Sequence, residues 1–393
     1  ILNFANRKLA MKKISKTREI PLAWLQLSRE KSRLLVAMAG IAFADMLMFI
    51  QLGFQTALYD SNTRLHQKIN ADLVLISPQG RNIVNLTTFP RRRLYQALSF
   101  DGVASADPLY ADFVDWKNPQ TQIKTSLLLL GFKPDKSAFL IPEVEQNLEK
   151  LKMPDVLLFD KGSQGKYDKT LASLEQGNTV STEIQERKIN VKGLFLSGAS
   201  FAADGNVITS DLNFHRILPR RHPSQVSAGL IKLKPGVDPQ QMAQALKLSL
   251  PNDVRVLTKA EFIQFETKYW SENTSIGFIF TLGTAIGFVV GVVIVYQILS
   301  SDVADHLAEY ATLKAMGYRN SYLLIVVFQE ALILALLGFL PGSAIAFGLY
   351  ALTRNATNLP LFMTVSRAVT VLILTMITVS YTHLRAHETK ANL

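Results

Sequence analysis

The sequence predicts a multi-pass membrane protein that holds a large α+β domain between its first and second spans. Three observations predict it. Apolar runs long enough to cross a bilayer stand at 34–58, 276–299 and 322–352, with a shorter run at 368–379; a hydrocarbon core about 30 Å thick needs roughly 20 residues of helix. Residues 59–275, between the first two runs, are mostly polar and long enough for a domain. Finally, Arg7, Lys8, Lys12, Lys13, Lys16, Arg18, Arg29, Lys31 and Arg33 precede the first run, against only Glu19 and Glu30.

That charge cluster sets the topology. The net charge of +11 would suggest nucleic acid in a soluble protein, but a Lys/Arg excess beside an apolar helix marks its cytoplasmic end. Residues 1–33 are therefore read as a cytoplasmic basic segment and 59–275 as extracytoplasmic; 300–321 returns to the cytoplasm and 353–367 is a short outer loop. The first run exceeds the apolar core of a secretory signal and is read as a retained anchor. The chain contains no cysteine, which excludes disulfides, thiolate zinc sites and cysteine nucleophiles.

In chain order, Ile14 to Lys31 places Leu22, Trp24, Leu25 and Leu27 among basic residues, the pattern of an interfacial amphipathic helix. In the outer domain, Asp72–Ser77, Gln122–Phe132, Asp155–Phe159, Lys188–Leu196, Val226–Leu233 and Val254–Leu257 read as strands. Pro90–Leu98 and Pro239–Leu250 read as helices, the second with Asp238 as N-cap and Pro239 at N1. Lys161–Lys169 reads as an exposed loop. An α+β domain, of one lobe or of two with a β-rich middle, fits this order.

The second span carries Gly283, Gly287 and Gly291, and the third carries Gly338, Gly342 and Ala346. Four-residue spacing puts small residues on one face, where another helix packs closely, within one subunit or across a dimer. Pro341 is expected to kink the third span. Asp45, Gln51, Gln55, Gln329 and Glu330 lie inside apolar runs. Intramembrane carboxylates face protein or water; Asp45 and Glu330 sit on different helices, so interhelical hydrogen bonds are expected rather than a proton relay.

Between the second and third spans, Ser301–Asn320 reads as a short amphipathic helix with Val303, Leu307, Tyr310 and Lys314 on one stripe. Asp302 and Asp305 are expected at its start and Gly317 as its stop. Lying on the membrane surface and docking a cytosolic partner are both open to it. Residues 368–379 read as the start of a fourth span, followed by charged residues costly in a bilayer. Residues 380–393 resemble translated adapter sequence and are read as non-native, so His383 and His387 are not counted as metal ligands; Met11 is read as the start.

No enzyme motif emerges. Gly162–Tyr167 is the nearest approach to a phosphate loop, but it lacks the first glycine and has Tyr167 where a magnesium-binding Ser or Thr belongs. His66, His215, His222 and His306 show no metal-ligand spacing. No bound cofactor and no enzymatic activity are expected, and energy has to come from outside the chain. A sensor would carry a cytoplasmic output domain and an envelope-acting enzyme a cluster of acids, bases or ligands; neither pattern is present.

The layout resembles the permeases of the MacB/FtsX/LolC type of ABC transporters, which have one span, a large outer domain, then three spans with a cytoplasmic coupling helix. Glu309-Tyr-Ala-Thr-Leu-Lys-Ala-Met-Gly317 is similar to the coupling-helix signature of that family, and Ile20–Leu27, Ala39–Asp45, Gln51–Gln55 and Asp72–Ser77 resemble the DevC subfamily. The resemblance implies a homodimer in the inner (plasma) membrane paired with two ABC ATPase subunits, which bind ATP and Mg. Glu309, Ala311, Thr312, Leu313, Lys314 and Gly317 would contact the ATPase. It further implies a membrane-fusion adaptor, a TolC-like outer-membrane channel and glycolipid export, or alternatively an FtsX-like role in lipoprotein release or cell-wall regulation.

Overall fold

The computed structural model describes residues 22–29, 31–318 and 320–391, and the chain divides into two compact units. One holds residues up to Leu52, Leu282–Leu349 and Met363 onward; the other holds Gly53–Thr281 and Tyr350–Phe362. Two helices come first, α1 (Leu22–Arg29) and α2 (Lys31–Lys68).

The second unit is an α+β domain. It runs β1 (Leu73–Ile76), β2 (Phe89–Pro90), α3 (Arg92–Leu98) and the long β3 (Val103–Lys117). A large excursion follows: β4 (Lys124–Phe132), α4 (Pro142–Glu145), α5 (Leu148–Leu151), β5 (Val156–Asp160), α6 (Asp168–Glu175), β6 (Val180–Ile184), β7 (Arg187–Phe195), β8 (Asn206–Ser210) and α7 (Asp211–Ile217). The chain returns through β9 (Gln225–Val226), β10 (Ala228–Leu233), α8 (Pro239–Ser249), β11 (Arg255–Thr258) and α9 (Lys259–Glu272).

The strands form one sheet in the order β11-β1-β10-β3-β4-β8-β5-β7-β6. Its first four strands are antiparallel neighbours, with Leu73 opposite both Ile231 and Thr258. With α3 and α8 as crossovers they make two interleaved split β-α-β units, the ferredoxin-like arrangement. The excursion forms a second lobe on the same sheet. There β3 pairs β4 from Leu109 to Lys117, and its end also pairs β6 through Trp116–Ile184 and Lys117–Glu183, closing a ring of six strands.

The core explains why β1 reads Leu-Val-Leu-Ile without polar alternation. Leu73 and Leu75 join one apolar cluster with Leu94, Ala243 and Leu246, while Val74 and Ile76 join another with Leu65, Ile83 and Phe262. A strand buried on both faces has no solvent side to mark with polar residues. The six expected strands are all present within a few residues, and Asp238 caps α8 by accepting a hydrogen bond from the Gln240 N–H. The sequence reading missed β3, in which Asp107, Pro108, Asp112 and Asp115 interrupt the apolar pattern, and also β8 and α9. It also took Lys161–Lys169 as loop throughout, whereas α6 begins at Asp168.

In the first unit, α2 is followed by α10 (Ser275–Asp305), α11 (Leu307–Ala315), α12 (Asn320–Thr357) and α13 (Val365–Ala391). α2, α10 and α12 are long and apolar enough to cross a membrane, whereas the apolar part of α13, Val365–Thr378, is shorter. Ile286, Val289, Leu340 and Phe347 are each about half exposed or more, a surface suited to hydrocarbon and poorly suited to water. The helices exceed the sequence boundaries. The first apolar run is the middle of a 38-residue helix, α12 runs through Pro341 without a break, and α13 continues past 379.

The inter-span segment needs the main correction. Asp302 and Asp305 do not start the short helix; they close α10, because the apolar run carries its helix onward as far as Asp305. Val303 therefore lies on α10, separate from the rest of the expected stripe. The C′ position of Gly317 does hold, with φ at +91°, a conformation that favours glycine. Of the expected N-terminal amphipathic helix, residues 14–21 lie outside the described residues; Leu22–Arg29 is helical, with Trp24 and Leu25 about half exposed and Leu27 buried.

Candidate functional site: the inter-span helix and the contacts of the first span

α11 is nine residues long and follows α10 after His306 alone. Glu309, Ala311, Thr312 and Lys314 are exposed and Leu313 is half-buried. Leu307 and Met316 leave 58% and 63% of their surface exposed. A short helix with apolar ends and a charged middle, so little covered by its own chain, presents a contact surface.

The glycine stripes both face α2. A Cβ at Gly283 would meet the Gln51 side chain, at Gly287 Met48, and at Gly291 Ala44. A Cβ at Gly338 would fall 2.6 Å from the Ile41 Cβ, and one at Gly342 would fall 2.8 Å from the Ala42 carbonyl oxygen. Of the two readings left open, packing within one subunit accounts for all five glycines. Ala346 is fully buried.

Two of the polar residues in the apolar runs make hydrogen bonds between helices. Asp45 is fully buried and its Oδ1 accepts a hydrogen bond from the Thr375 hydroxyl at 2.5 Å, joining α2 to α13. Gln51 lies against Gly283, and the Gln55 amide donates to the Thr281 hydroxyl at 3.0 Å. Glu330 is fully buried and Gln329 is exposed.

Three further contacts along α2 escaped the sequence reading. At its start, Arg33 Nη1 lies 2.6 Å from Asp305 Oδ2 at the end of α10. Both charges are on the unfavourable side of a helix dipole, a cation near an N-terminus and an anion at a C-terminus. Two such violations in one sequence were the available signal, since breaches of local rules cluster where a tertiary contact or function requires them. Toward the other end of α2, Arg64 Nη1 donates to the Ser197 carbonyl and Lys68 Nζ to the Leu196 carbonyl, each at 2.6 Å. The loop they hold is built around Asp160. Its Oδ1 accepts N–H bonds from Gly162, Ser197 and Gly198, and its Oδ2 accepts from Gly198 and from Asn206 Nδ2 at 2.8 Å. Burial pushes the Asp160 carboxyl up, while the donors from Asn206, Ser197, Gly162 and Gly198 pull the other way. Gly198 has φ at +93°, a backbone conformation that favours glycine, and a Cβ there would displace Arg64 Nη1 from its place beside the loop.

The third contact joins α2 to α9. His66 Nε2 lies 3.1 Å from Glu266 Oε2, with both side chains fully buried. Glu266 also accepts from the Ile83 N–H at 2.9 Å and from Trp270 Nε1 at 2.8 Å. Among the described residues no cluster of His, Asp and Glu is arranged to hold a metal ion.

Fold and helices together define a membrane protein whose α+β domain is inserted between its first and second spans. Residues 273–382 match the FtsX-like permease C-terminal family, a stretch that holds the second and third of the long apolar helices. Among solved structures, the chain is similar to the periplasmic region of MacB from Actinobacillus actinomycetemcomitans, at 12% identity over 50% of this chain and 92% of that one, with a TM-score of 0.34. It is also similar to the extracellular domain of the noncanonic ABC-type transporter YknZ from Gram-positive bacteria, at 12% identity over 48% of this chain and 100% of that one, with a TM-score of 0.31. A domain of a permease protein from Porphyromonas gingivalis is a third, at 13% identity over 49% of this chain and 88% of that one, with a TM-score of 0.27. No curated protein matches the chain in sequence.

Proposed function

We propose that this chain is the permease subunit of an ATP-driven ABC exporter of DevC type, with its N-terminus in the cytoplasm and its α+β domain on the periplasmic face of the inner membrane. It carries no catalytic centre in this reading. A separate ATPase subunit binds ATP and Mg, presses on α11 through Glu309 and its neighbours, and so moves the outer domain. A second copy makes the homodimer, and a membrane-fusion adaptor with a TolC-like channel takes up the cargo, a glycolipid by resemblance. The observation that supports this most is α11 itself: a short helix between two spans, its apolar Leu307 and Met316 and its charged Lys314 all turned outward, which suits a protein partner better than water.

The test is co-expression with a candidate ABC ATPase subunit from the same genome. Glu309→Lys reverses a charge in the centre of the helix and is expected to lower both complex yield and permease-dependent ATP turnover by at least tenfold, about 1.4 kcal/mol of binding. Wild-type yield and turnover in that variant would remove the coupling role from α11.

A further inference from the structure

We infer that the loop between β7 and β8 dips its tip, residues 200–203, into the near leaflet of the membrane, where Phe201 is a lipid contact of the outer domain. This goes beyond the coupling role proposed for α11 and does not depend on it. Phe201 packs edge-on against Phe280 with ring centroids 6.4 Å apart, and Phe280 stacks on Phe54 at 5.9 Å. All three rings belong to the unit that runs Gly53–Thr281. Phe54 and Phe280 nevertheless lie on helices long and apolar enough to cross a membrane, Lys31–Lys68 and Ser275–Ile298. Phe280 stands five residues past Ser275, about 8 Å along its helix, and Phe54 stands four residues short of Leu58, about 6 Å. A loop residue that touches Phe280 is therefore at the depth where hydrocarbon gives way to headgroups, the level of aromatic belts.

The tip is made for that environment. Residues 196–203, Leu-Ser-Gly-Ala-Ser-Phe-Ala-Ala, carry no charge, and the first is Asp204. Backbone entering a lipid interface has to satisfy its own polar groups. Here the Ser200 N–H donates to the Ala203 carbonyl at 3.0 Å, and the Ala202 and Ala203 N–H groups both donate to Ser200 Oγ at 3.1 Å. The rest of the loop stands higher. Arg64 and Lys68, which hold the Ser197 and Leu196 carbonyls, lie ten and fourteen residues beyond Phe54 on α2, about 15 and 21 Å along its axis. The loop thus descends beside α2 and brings only its tip to the lipid. Phe54, Phe201 and Phe280 are each half-buried, so the chain does not close over the cluster. Beside them Phe278 and Ile279 leave 63% and 56% of their surface exposed, continuing the same apolar face. A protein partner would have to reach below the headgroups to cover these rings, whereas lipid is already there.

The test uses the full chain in lipid nanodiscs, without an ATPase, and reads tryptophan quenching by phosphatidylcholine brominated near the top of its acyl chains. The chain contains Trp24, Trp116 and Trp270, so each variant is scored by the emission it adds to that background. Phe201→Trp is expected to lose about half of its added emission in brominated discs relative to ordinary ones, as a residue of the aromatic belt would. Ala202→Trp, a second reporter at the tip, should respond in the same way. Phe278→Trp, on the exposed face of the span, is the quenched reference, and Leu196→Trp, at the top of the loop, should keep its emission. Unquenched reporters at 201 and 202 beside a quenched one at 278 would overturn the inference, because something other than lipid would then cover the tip. Equal quenching at 196 and 201 would overturn it as well, since the loop would not descend tip first.

Discussion

Replacing Asp160 by asparagine should weaken the outer domain by about 3 kcal/mol. The carboxyl meets four N–H donors, those of Gly162, Ser197, Gly198 and Asn206, spread over both oxygens. An amide offers lone pairs at only one end. With its oxygen in the Oδ1 position it keeps the three backbone donors, but its NH2 group then faces the Asn206 amide. Losing a bond to a charged acceptor costs about 1.5–3 kcal/mol, and exchanging charge-assisted for neutral bonds costs about 1 kcal/mol for each of the other three. Relief from burying a carboxyl offsets part of this sum. For a domain of this size about 3 kcal/mol corresponds to a fall of roughly 6–12 °C in melting temperature. Tryptophan fluorescence of the full chain in nanodiscs reports it, because Trp116 and Trp270 both lie in the domain. Asp101→Asn, at a fully exposed position, serves as the control and should change little. A melting point for Asp160→Asn within about 1 °C of wild type would show that the nest around this carboxyl is not what holds the loop.

Other outcomes follow from the same geometry. Gly342→Ala forces a methyl to within 2.8 Å of the Ala42 carbonyl and should cost about 1–3 kcal/mol of helix packing; Gly348→Ala, with nothing within 4 Å, should be neutral, and thermal stability in detergent distinguishes them. Glu266→Leu removes the acceptor for the Ile83 N–H and Trp270 Nε1. It should cost about 2–5 kcal/mol and shift Trp270 emission. Hydrogen bonds hold three carboxyls below their ordinary range: Arg93 acts on Asp253, Arg187 on Asp155 and the Thr258 backbone N–H on Glu261. Folded values below the unfolded ones mean that the unfolded chain takes up protons first as pH falls. Their stabilisation is therefore complete above about pH 5 and declines progressively as pH falls below about 4 toward their lowered folded values. Denaturation midpoints that rise on acidification across that range would contradict the pairing.

What the sequence revealed and what it hid have physical causes. Long apolar runs report membrane spans directly, because a helix needs roughly 20 predominantly apolar residues to cross the hydrocarbon core. The strands β1, β4 and β5 are equally plain, since burial on both faces leaves an unbroken hydrophobic signature. β3 was hidden because it carries polar residues at the positions where it leaves one set of neighbours for another, as Asp112 does in meeting Arg220 and Arg221. α11 was legible in place but not in extent, because an apolar helix carries its hydrogen-bond ladder past the membrane-like stretch into Asp302 and Asp305. The contacts of α2 were illegible for a simpler reason. Arg33 with Asp305, Arg64 with Ser197 and His66 with Glu266 are each more than a hundred residues apart, and no local pattern pairs them.

The strand β3 belongs to both lobes, with Val103–Leu109 bonded to β10 and Leu109–Lys117 to β4. The lobes are therefore two cloths woven on one thread, and neither can be cut out as an independent module without fraying the other. An insertion within Val103–Lys117 would slip the register of both halves at once, so the loops at the margins of the domain are where added length should be tolerated.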